Sequence, residues 1–580
     1  MSDAALYDNS PSIDPLNRRQ RLLVRKSALW QERSDWDGLW RDIAKHQHPS
    51  LGRFTLSDTN RADQKRRRDI IDNTAVFASR TLSAGMMSGM TSPARPWFRL
   101  GVSDEELNNT PSAKAWLHLA TKILLAKFGS SNTYRALHSC YTELGLFGTW
   151  ASVVLPHPVK VLHHYPLTVG TYAIETNYEG EVTTLFREFR MTVGQIVEQF
   201  GLKNCSTRVR SLHDRGLFHA TVDVIHAIEP RREKDRDLVR KDGKNKPFAS
   251  LYFEPGSDNW DQFLSESGFD RFPVLAPRWS VTGNDTYGDS PGAECRGDVA
   301  QLQQQQLRKG QAIDYQSNPP LQVPTNYKGR AADRLPGGVM YVDQTAQGNG
   351  VRSAFEVNLN LDHLHHDIQD VRERIRSAYY ADLFLMIAND QRTGVTATEI
   401  AERHEEKLLM LGPVLERLHN ELLQPMIEMA LDYGIMAGVI PPPPEELQGQ
   451  EMSIDFISVL AQAQRAVAVA GMDRLLGVVG SVAELDPTAR HKLDVPKMID
   501  VYGEAFGVDP DILRNTEEAA EIAQAEAEAA QQQMQMAAAP QMAGAARDLS
   551  QVDPNNMSNV LQSLSGYGGG ANALEPASGL

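Results

Sequence analysis

Residues 395–424 read VTATEIAERHEEKLLMLGPVLERLHNELLQ, and this stretch predicts a long amphipathic helix. Thr396 is suited to the N-cap position because Glu399 follows three residues later, which is the capping-box spacing. The apolar residues recur at the spacing of one buried helical stripe, at Ile400, Leu408, Leu411, Leu415, Leu418 and Leu422. Gly412-Pro413 predicts a kink, because proline removes a donor and clashes with the preceding turn.

Two further stretches also stand out as distinctive motifs: GMTSPARPWFRL at residues 89–100 and YTELGLFGTW at residues 141–150. Together with the TATEI start, the charge cluster from Arg403 to Lys407 and the LGPVL kink, they resemble the portal proteins, or head-to-tail connectors, of short-tailed, podovirus-type bacteriophages. The resemblance covers residues 15–510. It implies an α+β, predominantly helical fold: a portal-type elongated subunit with wing, stem, clip and crown layers in a cyclic ring.

The composition is that of a globular protein made in a reducing compartment. The 580 residues are enough for two or three domains or one large subunit, and a hydrophobic content of 41% allows a sizeable core. The three cysteines lie far apart, so they predict free thiols. No stretch approaches the roughly 18 apolar residues of a membrane span, so no membrane is expected as a partner. A net charge of -15 argues against a tight, sequence-independent DNA clamp but permits a weakly binding channel.

The first half of the chain predicts a mixed layer of helices and strands. Helices are expected from Leu22 to Pro49, over 69–90, 112–128 and 132–147, and at 192–200, where Gly201 ends the last of them. Small residues near 84–89 would let another backbone approach closely. Alternating apolar residues predict strands at 182–189, 221–228 and 248–253, with an exposed, charged loop at 231–246. The basic run at 65–68 is expected to be a solvated helix face.

The middle of the chain predicts one antiparallel unit, in which two helices are separated by a loop-and-strand excursion rich in proline and glycine. The first helix spans 293–315 and has a sparse apolar seam at Val299, Leu302, Leu307 and Ile313, so it must pack against another helix or a copy of itself. The second spans 361–387. The resemblance implies that this unit is the stem with the clip at its tip, and that Lys328, Arg330 and Arg334 contact a partner or DNA there.

A short polar loop follows the second helix, formed by Asn389, Asp390, Gln391, Arg392, Thr393 and Gly394. Its length fits an ordinary connection between helices. The resemblance implies instead a channel loop that faces DNA. In that role Arg392 would contact phosphate and Gly394 would let the backbone bend.

The resemblance divides the chain into successive parts. These are a wing at 1–285, a first stem helix at 286–317, the clip at 318–360, a second stem helix at 361–388, the channel loop at 389–395, a long kinked helix of the wing/crown junction at 396–440, crown helices at 441–515, and a flexible low-complexity tail at 516–580. Within the crown part, the pattern predicts helices at 455–485 and 495–506.

Motifs for catalysis are not found in the sequence. It contains no Gly-x-x-x-x-Gly-Lys-[Ser/Thr] phosphate loop, and His404 lacks the second histidine that a zinc-protease motif requires. His363, His365 and His366 do not all share one helical face and have no neighbouring cysteine. We therefore expect no catalytic residues, no metal and no cofactor.

The resemblance implies a structural protein at the portal vertex of the virion, assembled in the host cytoplasm. It would form a ring of twelve copies through which double-stranded DNA is packaged and ejected. The implied partners are the terminase large subunit, the major capsid protein, the scaffolding protein and a tail adaptor or tail tube protein. Two alternatives remain at this stage: a tail adaptor or other ring-forming scaffold that does not gate DNA, and a nucleic-acid enzyme with dispersed carboxylates.

Overall fold

The structure is a computed structural model. It describes residues 18–55, 70–108, 110–233, 236–237, 239–240, 242–257, 262–319, 321–324, 339–342, 352–353, 362–389, 411–450, 452–457, 475–481 and single positions between 495 and 529. The chain divides into two units, Met1–Val467 and Ala468–Leu580. Within the second unit, residues 475–481 are helical.

Helices build most of the first unit. They are α1 (Arg18–Glu32), α2 (Ser34–His46), α3 (Thr74–Met90), α4 (Glu105–Asn108), α5 (Pro111–Ser130), α6 (Thr133–Phe147), α7 (Val193–Phe200), α8 (Thr207–Asp214), α9 (Pro291–Glu294), α10 (Arg296–Ser317), α11 (Asp362–Ala378), α12 (Ala381–Asn389) and α13 (Gln424–Met436). Residues 411–418 are also helical and continue through a π turn, His419–Leu423, into α13. Short 3₁₀ turns lie at Leu202–Asn204 and Glu445–Leu447.

Within the part of the chain that the structure describes, strands form four sheets. They are β1 (Phe98–Val102), β2 (Ala151–His157), β3 (Val161–Leu167), β4 (Tyr172–Thr176), β5 (Val182–Thr192), β6 (Thr221–Pro230), β7 (Phe248–Phe253), β8 (Ser265–Phe269), β9 (Val274–Leu275), β10 (Leu321–Pro324), β11 (Val339–Val342), β12 (Arg352–Ser353) and β13 (Met452–Phe456). The largest sheet has the order β4-β5-β6-β7-β8, and all its neighbouring strands are antiparallel. The others are β3-β2-β9, β1-β13 and β11-β10-β12.

Helices cover both faces of the five-stranded sheet. Leu22 and Leu29 of α1 pack with Phe186 and Ile225 on one face. On the opposite face, α7 and α8 contribute Val193, Ile196 and Val209 to a second core with Val222 and Val224. The alternation of β6 residues between the two cores follows from the two-residue period of a strand. The sheet layer is therefore packed on both sides by its own chain.

The predicted ends of several elements are confirmed by their caps. Thr192 and Gln195 form a capping box at the start of α7, and Gly201, with φ 79°, follows its end. Gly148 ends α6 with φ 75°, where a Cβ would lie 2.1 Å from the carbonyl oxygen of Gly288. Only glycine fits that position, because both the dihedral angle and the space exclude a side chain.

The prediction of a helix from Asp455 is wrong at its start. Residues Met452–Phe456 form β13, which pairs antiparallel with β1 through Phe98 and Phe456. Five residues are too few for the alternation to stand out in sequence, so a long-range partner decides the conformation. The rest of the predicted crown helices, apart from residues 475–481 and positions 495, 498 and 499, lies outside the described residues, as does the basic run at 65–68.

The small residues of α3 lie where other helices pack against it. A Cβ on Gly85 would lie 2.2 Å from two ring carbons of Phe384 of α12, so this ring occupies the space that a side chain would take. The helix also begins at Thr74, five residues after the predicted start, because Asp72 accepts hydrogen bonds from the backbone N–H and the hydroxyl of Thr74.

Candidate functional site: the helical hairpin

Helices α10 and α11 form an antiparallel hairpin, as their predicted spacing requires. Arg374 of α11 pairs with Asp298 near the start of α10 at 3.2 Å, while the amide of Gln305, two turns further along α10, donates to Asp367. Because the residue numbers rise on one helix as they fall on the other, the helices run in opposite directions. The name hairpin is used below for α10, α11 and the segment between them.

The foot of the hairpin is buried in the main core, the largest cluster of buried apolar residues, to which α3, α6 and β2 also contribute. Val299 and Leu302 of α10 are fully buried, as are Ile368, Val371 and Ile375 of α11. Further from the foot the burial ends: Leu307 is 49% exposed and Ile313 is 45% exposed. The apolar seam predicted on α10 is therefore covered in its first half, whereas within the described chain its second half stays in solvent.

A polar network centred on Asp72 fastens both helices of the hairpin to the start of α3. The Gln303 side chain accepts from the backbone N–H of Ile71 and Asp72 at 2.7 and 2.9 Å and donates to the Asp72 carbonyl at 2.9 Å. Arg372 of α11 donates to the Asp72 carboxylate at 2.7 and 3.1 Å, and Gln306 donates to it at 3.1 Å. One carboxylate thus links three helices.

The electrostatics of Asp72 follow from this network. Burial by itself would raise the pKa of the carboxyl, but hydrogen bonds from Thr74 and Arg372 outweigh it, and the pKa lies below its usual value of 3.8. The group is therefore ionised at neutral pH and holds Arg372 in place.

The second helix of the hairpin is not continuous over 361–387 as predicted. It ends at Ala378, and α12 begins at Ala381 after Tyr380, whose φ is 52°. Tyr379 is fully buried and its hydroxyl hydrogen-bonds to the Gln47 side chain. Tertiary contacts to α2 and to Gly85 of α3 therefore turn the chain at a point where the local sequence has neither glycine nor proline.

Between the two helices of the hairpin, the chain contains the three short strands β10, β11 and β12. β10 pairs parallel with β11 and antiparallel with β12. The predicted contact residues Lys328, Arg330 and Arg334 lie outside the described residues. The segment predicted as loop and strand does contain strands at its two ends.

The predicted channel loop begins at the end of α12. Asn389 is the last residue of that helix, and Asp390, Gln391, Arg392, Thr393 and Gly394 lie outside the described residues. The described chain resumes at Leu411, where the predicted apolar stripe is confirmed: Leu411, Leu415, Leu418 and Leu422 are all buried. The part of the predicted helix before the kink at Gly412-Pro413 lies outside the described residues.

The irregularity that the described helix does contain is the π turn at His419–Leu423. Its Glu421 accepts three bonds from Arg278, from the backbone N–H and Nη2 at 2.8 Å each and from Nε at 3.4 Å, and Arg417 donates to it at 2.9 Å. The ring of His419 stacks on Phe456 of β13 at 4.1 Å. A π turn inserts an extra residue into the helix, and these contacts fix the side chains that it redirects.

Sequence reasoning missed Asp72, Gln303, Arg372, Arg278 and Glu421. The partners in these interactions are 143 to 300 residues apart along the chain. The only local signal was Asp72 two residues before Thr74, which is compatible with a helix cap. A single sequence does not indicate the long-range partners of charged residues.

Two negative findings concern the described residues alone. None of the described helices is long and apolar enough to cross a membrane. The described residues also contain no group of three or more histidine, cysteine, aspartate or glutamate side chains that could hold a metal ion.

The comparisons with known proteins define first a class, the structural proteins that join head and tail in phage particles. The chain belongs to the bacteriophage head to tail connecting protein family, whose model matches residues 19–513. It is 50% identical over 552 residues to the probable portal protein of Bordetella phage BPP-1, covering 95% of this chain and 99% of that protein. It is 40% identical over 541 residues to the portal protein of Salmonella phage epsilon15, covering 93% and 97%.

Solved structures give a more distant likeness. A chain of the native gene transfer agent virion matches with a TM-score of 0.31 and 10% identity, covering 76% of this chain and 95% of that one. A chain from the neck of an empty gene transfer agent particle matches with a TM-score of 0.34 and 10% identity, covering 73% and 92%.

Family membership establishes the general function. The protein is a phage portal protein, a structural and non-enzymatic component of the virion at a capsid vertex, with roles in genome packaging and ejection. Portal proteins form rings that connect capsid and tail, so self-association is part of that function. The alternatives of a tail adaptor and of a nucleic-acid enzyme are therefore set aside.

Proposed function

We propose that twelve copies of the chain form a ring in which the helical hairpins stand side by side as the wall of an axial DNA channel. One observation carries the proposal: the hairpin is anchored by its foot to the main core, while the outer half of α10 leaves Leu307 and Ile313 exposed. A helix with apolar side chains that its own chain leaves exposed is suited to packing against a neighbouring subunit. A repeated heterologous interface then closes the ring.

The layers of the subunit follow the order of the chain in this proposal. The wing comprises residues 1–285, the stem is the α10–α11 pair, and the clip is 318–360 at its tip. The junction helix comprises 396–440, and the crown includes the part of 441–515 beyond β13, since β13 itself pairs with β1. Support comes from the antiparallel α10–α11 pair, in which α10 ends at Ser317 and α11 begins at Asp362 on the side away from the foot.

The loop at 389–394 is the proposed DNA-facing segment. The support is its position directly after α12, the helix that carries Phe384 against Gly85 of α3. Arg392 supplies a cation for a phosphate, and Gly394 supplies backbone freedom. A single weak cation per subunit suits a duplex that must slide, because each strong phosphate contact adds friction.

The proposed partners divide between the two ends of the ring. The clip, with Lys328, Arg330 and Arg334, is the docking site for the terminase large subunit during packaging and for the tail adaptor or tail tube protein afterwards. The wing meets the major capsid protein and the scaffolding protein. Double-stranded DNA passes along the axis, and no cofactor takes part.

The ring is tested by averaging electron micrographs of the purified protein down the symmetry axis. We expect twelve-fold rings with a central pore of roughly 20 Å or more, since a duplex whose major groove alone is about 12 Å wide must pass. Incubating the same sample with DNA and Mg²⁺ should leave the DNA intact. Monomers that cleave DNA would contradict the proposal.

The channel loop is tested with Arg392→Ala and, as a matched control, Arg240→Ala, which removes an exposed arginine from the loop between β6 and β7. We expect rings from both variants but slower DNA packaging, or earlier loss of packaged DNA, from Arg392→Ala alone. Equal packaging by both variants would remove Arg392 from the mechanism and leave the ring intact.

A further inference from the structure

The five-stranded sheet carries two exposed features at opposite ends of β5. The first, called the tip below, is the turn at residues 177–181 before β5. The second, called the patch, is the segment 215–219 before β6. The N–H of Gly194, just after β5, donates to the Phe218 carbonyl at 3.0 Å, which ties the patch to the far end of that strand. With 11 residues at about 3.3 Å each, the two ends of β5 lie roughly 35 Å apart.

The tip is acidic, aromatic and fixed. Tyr178 is 94% exposed, and Glu179 and Glu181 make no ion pair with any described residue. The Asn177 side chain accepts from the backbone N–H of Glu179 at 3.0 Å and of Glu181 at 2.9 Å. From outside the turn, the buried Arg278 donates to the Gly180 carbonyl at 2.7 Å. Because the turn is already ordered, presenting Tyr178 to a partner costs little further entropy.

The patch is apolar, and the segment that leads into it is basic. Leu217 and Phe218 are 49% and 46% exposed. Gly216, with φ 73°, ends α8 in a Schellman arrangement. Its N–H donates to the backbone carbonyl of His213, and the N–H of Leu217 donates to the backbone carbonyl of Leu212. Between residues 203 and 219 the charged residues are the cations Lys203, Arg208, Arg210 and Arg215 and the single carboxylate Asp214. Arg208 and Arg215 form no ion pair within the described chain.

We propose that the tip of one subunit docks on the patch of the next subunit around the ring. Tyrosine in a fixed turn is a frequent anchor of protein interfaces, and Leu217 with Phe218 offers it an apolar seat. The acidic rim of the tip faces the basic rim of the patch, which selects the partner and its orientation. A second copy is the occupant because this chain carries both halves of the complementary pair, too far apart to meet within one subunit.

The geometry also fits the symmetry of a ring. Two different surfaces at opposite ends of one rigid sheet make a heterologous contact, and such a contact repeats from copy to copy. The inference rests on the proposed ring and adds to it the surfaces that meet. It does not require this contact to be the whole interface.

Cross-linking tests the contact directly. The three native cysteines are buried, so a chain with Tyr178→Cys and Leu217→Cys reacts chiefly at the new thiols. A short bis-maleimide cannot join the two sites within one subunit, so we expect a ladder of covalent oligomers on a denaturing gel. Each single variant should stay a monomer band. The matched control pairs Leu217→Cys with Val159→Cys, at another exposed turn between strands, and should give no ladder.

The outcomes separate this contact from the ring itself, because the same samples are imaged for rings. Rings without a ladder would overturn the contact and leave the proposed function standing. A ladder that stops at dimers, formed already by Tyr178→Cys alone, would show a contact between like surfaces and overturn the heterologous assignment. Neither rings nor ladder would count against both proposals.

Charge reversal supplies a second test with an internal rescue. Glu179→Lys with Glu181→Lys, or Arg208→Glu with Arg215→Glu, should weaken assembly at least roughly tenfold, because each brings like charges together. The chain with all four changes should assemble again, since each reversed tip meets a reversed patch. The control is Glu445→Lys, which should assemble as the unchanged chain does. A fourfold variant as impaired as either double variant would refute the contact.

Discussion

The five-stranded sheet and the helical hairpin bury their apolar residues in different ways. The sheet has a helix layer on each face, with Leu22 and Leu29 on one side and Val193 and Val209 on the other. Among the described residues, α10 of the hairpin is covered at its foot, where Leu302 is buried, whereas Leu307 is half exposed little more than one turn later. The comparison indicates that the sheet layer is complete within one chain, while the outer hairpin is suited to being completed by a neighbour.

The largest expected effect is at the buried foot. Leu302→Ala should destabilise the subunit by about 2–5 kcal/mol, because it removes a buried side chain and leaves a cavity. Leu307→Ala is the matched control on the same helix and should change the unfolding free energy by less than about 0.5 kcal/mol, since the residue is half exposed. Urea denaturation of the two variants measures the difference. Equal losses would mean that the outer half of α10 is as well packed as its foot.

The next effect concerns the polar anchor. Asp72→Ala should cost about 1–3 kcal/mol, because Arg372 and the backbone at Thr74 lose a buried acceptor. The pKa of Asp72 is lower in the folded chain than its usual 3.8, so its contribution is complete above that value and is lost as the pH falls through the lower, folded value. Stability measured from pH 6 down to pH 3 should therefore decline more steeply in the unchanged chain than in the variant. Parallel curves would exclude the anchor role.

A smaller effect is expected on the sheet side. Thr192→Ala removes the cap of α7 and should cost about 1 kcal/mol, while Thr192→Ser keeps the hydroxyl and should cost much less. Because the helix covers one face of the sheet, hydrogen exchange should increase chiefly at the first turn of α7. Increased exchange in the hairpin would contradict the view that the sheet layer is packed independently.

The smallest effect is expected where charges meet in solvent. Arg25 pairs with Glu175 and Glu229 at 2.6 and 2.7 Å, but it is more than a third exposed. Arg25→Ala should therefore cost at most about 1 kcal/mol, and less at high salt. Arg190→Ala, which breaks a pair of similar exposure with Asp223, provides a control for a single partner. A loss above 2 kcal/mol at Arg25 would show that α1 depends on its charges more than on Leu22 and Leu29.

Local sequence patterns predicted the type of most elements. The three sheet strands at 182–189, 221–228 and 248–253 and the helix at 192–200 are confirmed, because their apolar residues follow the periods of two and 3.6 that burial imposes. The helix predicted from Leu22 to Pro49 divides at Arg33 into α1 and α2, and α8 was not predicted. The antiparallel pair around the excursion is confirmed for the same reason. The roles predicted for the channel and clip residues remain predictions. Asn389 is the last residue of α12, and the other residues lie outside the described ones.

Long-range contacts explain the departures. β13 is a strand because β1 pairs with it. The second helix of the hairpin breaks at Tyr380 because the hydroxyl of the buried Tyr379 hydrogen-bonds to Gln47. The ring of Phe384, a residue 299 positions later in the chain, occupies the space where a side chain at Gly85 would lie. Each of these depends on a partner that no local pattern identifies.

The sequence by itself determined the family, the helical hairpin and three of the five strands of the largest sheet, since these depend on motifs and on apolar periodicity within short windows. Tertiary structure decided which half of α10 is buried, which carboxylate fastens the hairpin, and that Tyr178 and Leu217 stand at opposite ends of one sheet. The physical reason is that burial and charge pairing are properties of neighbours in space, and folding brings together residues as far apart in the chain as Phe98 and Phe456.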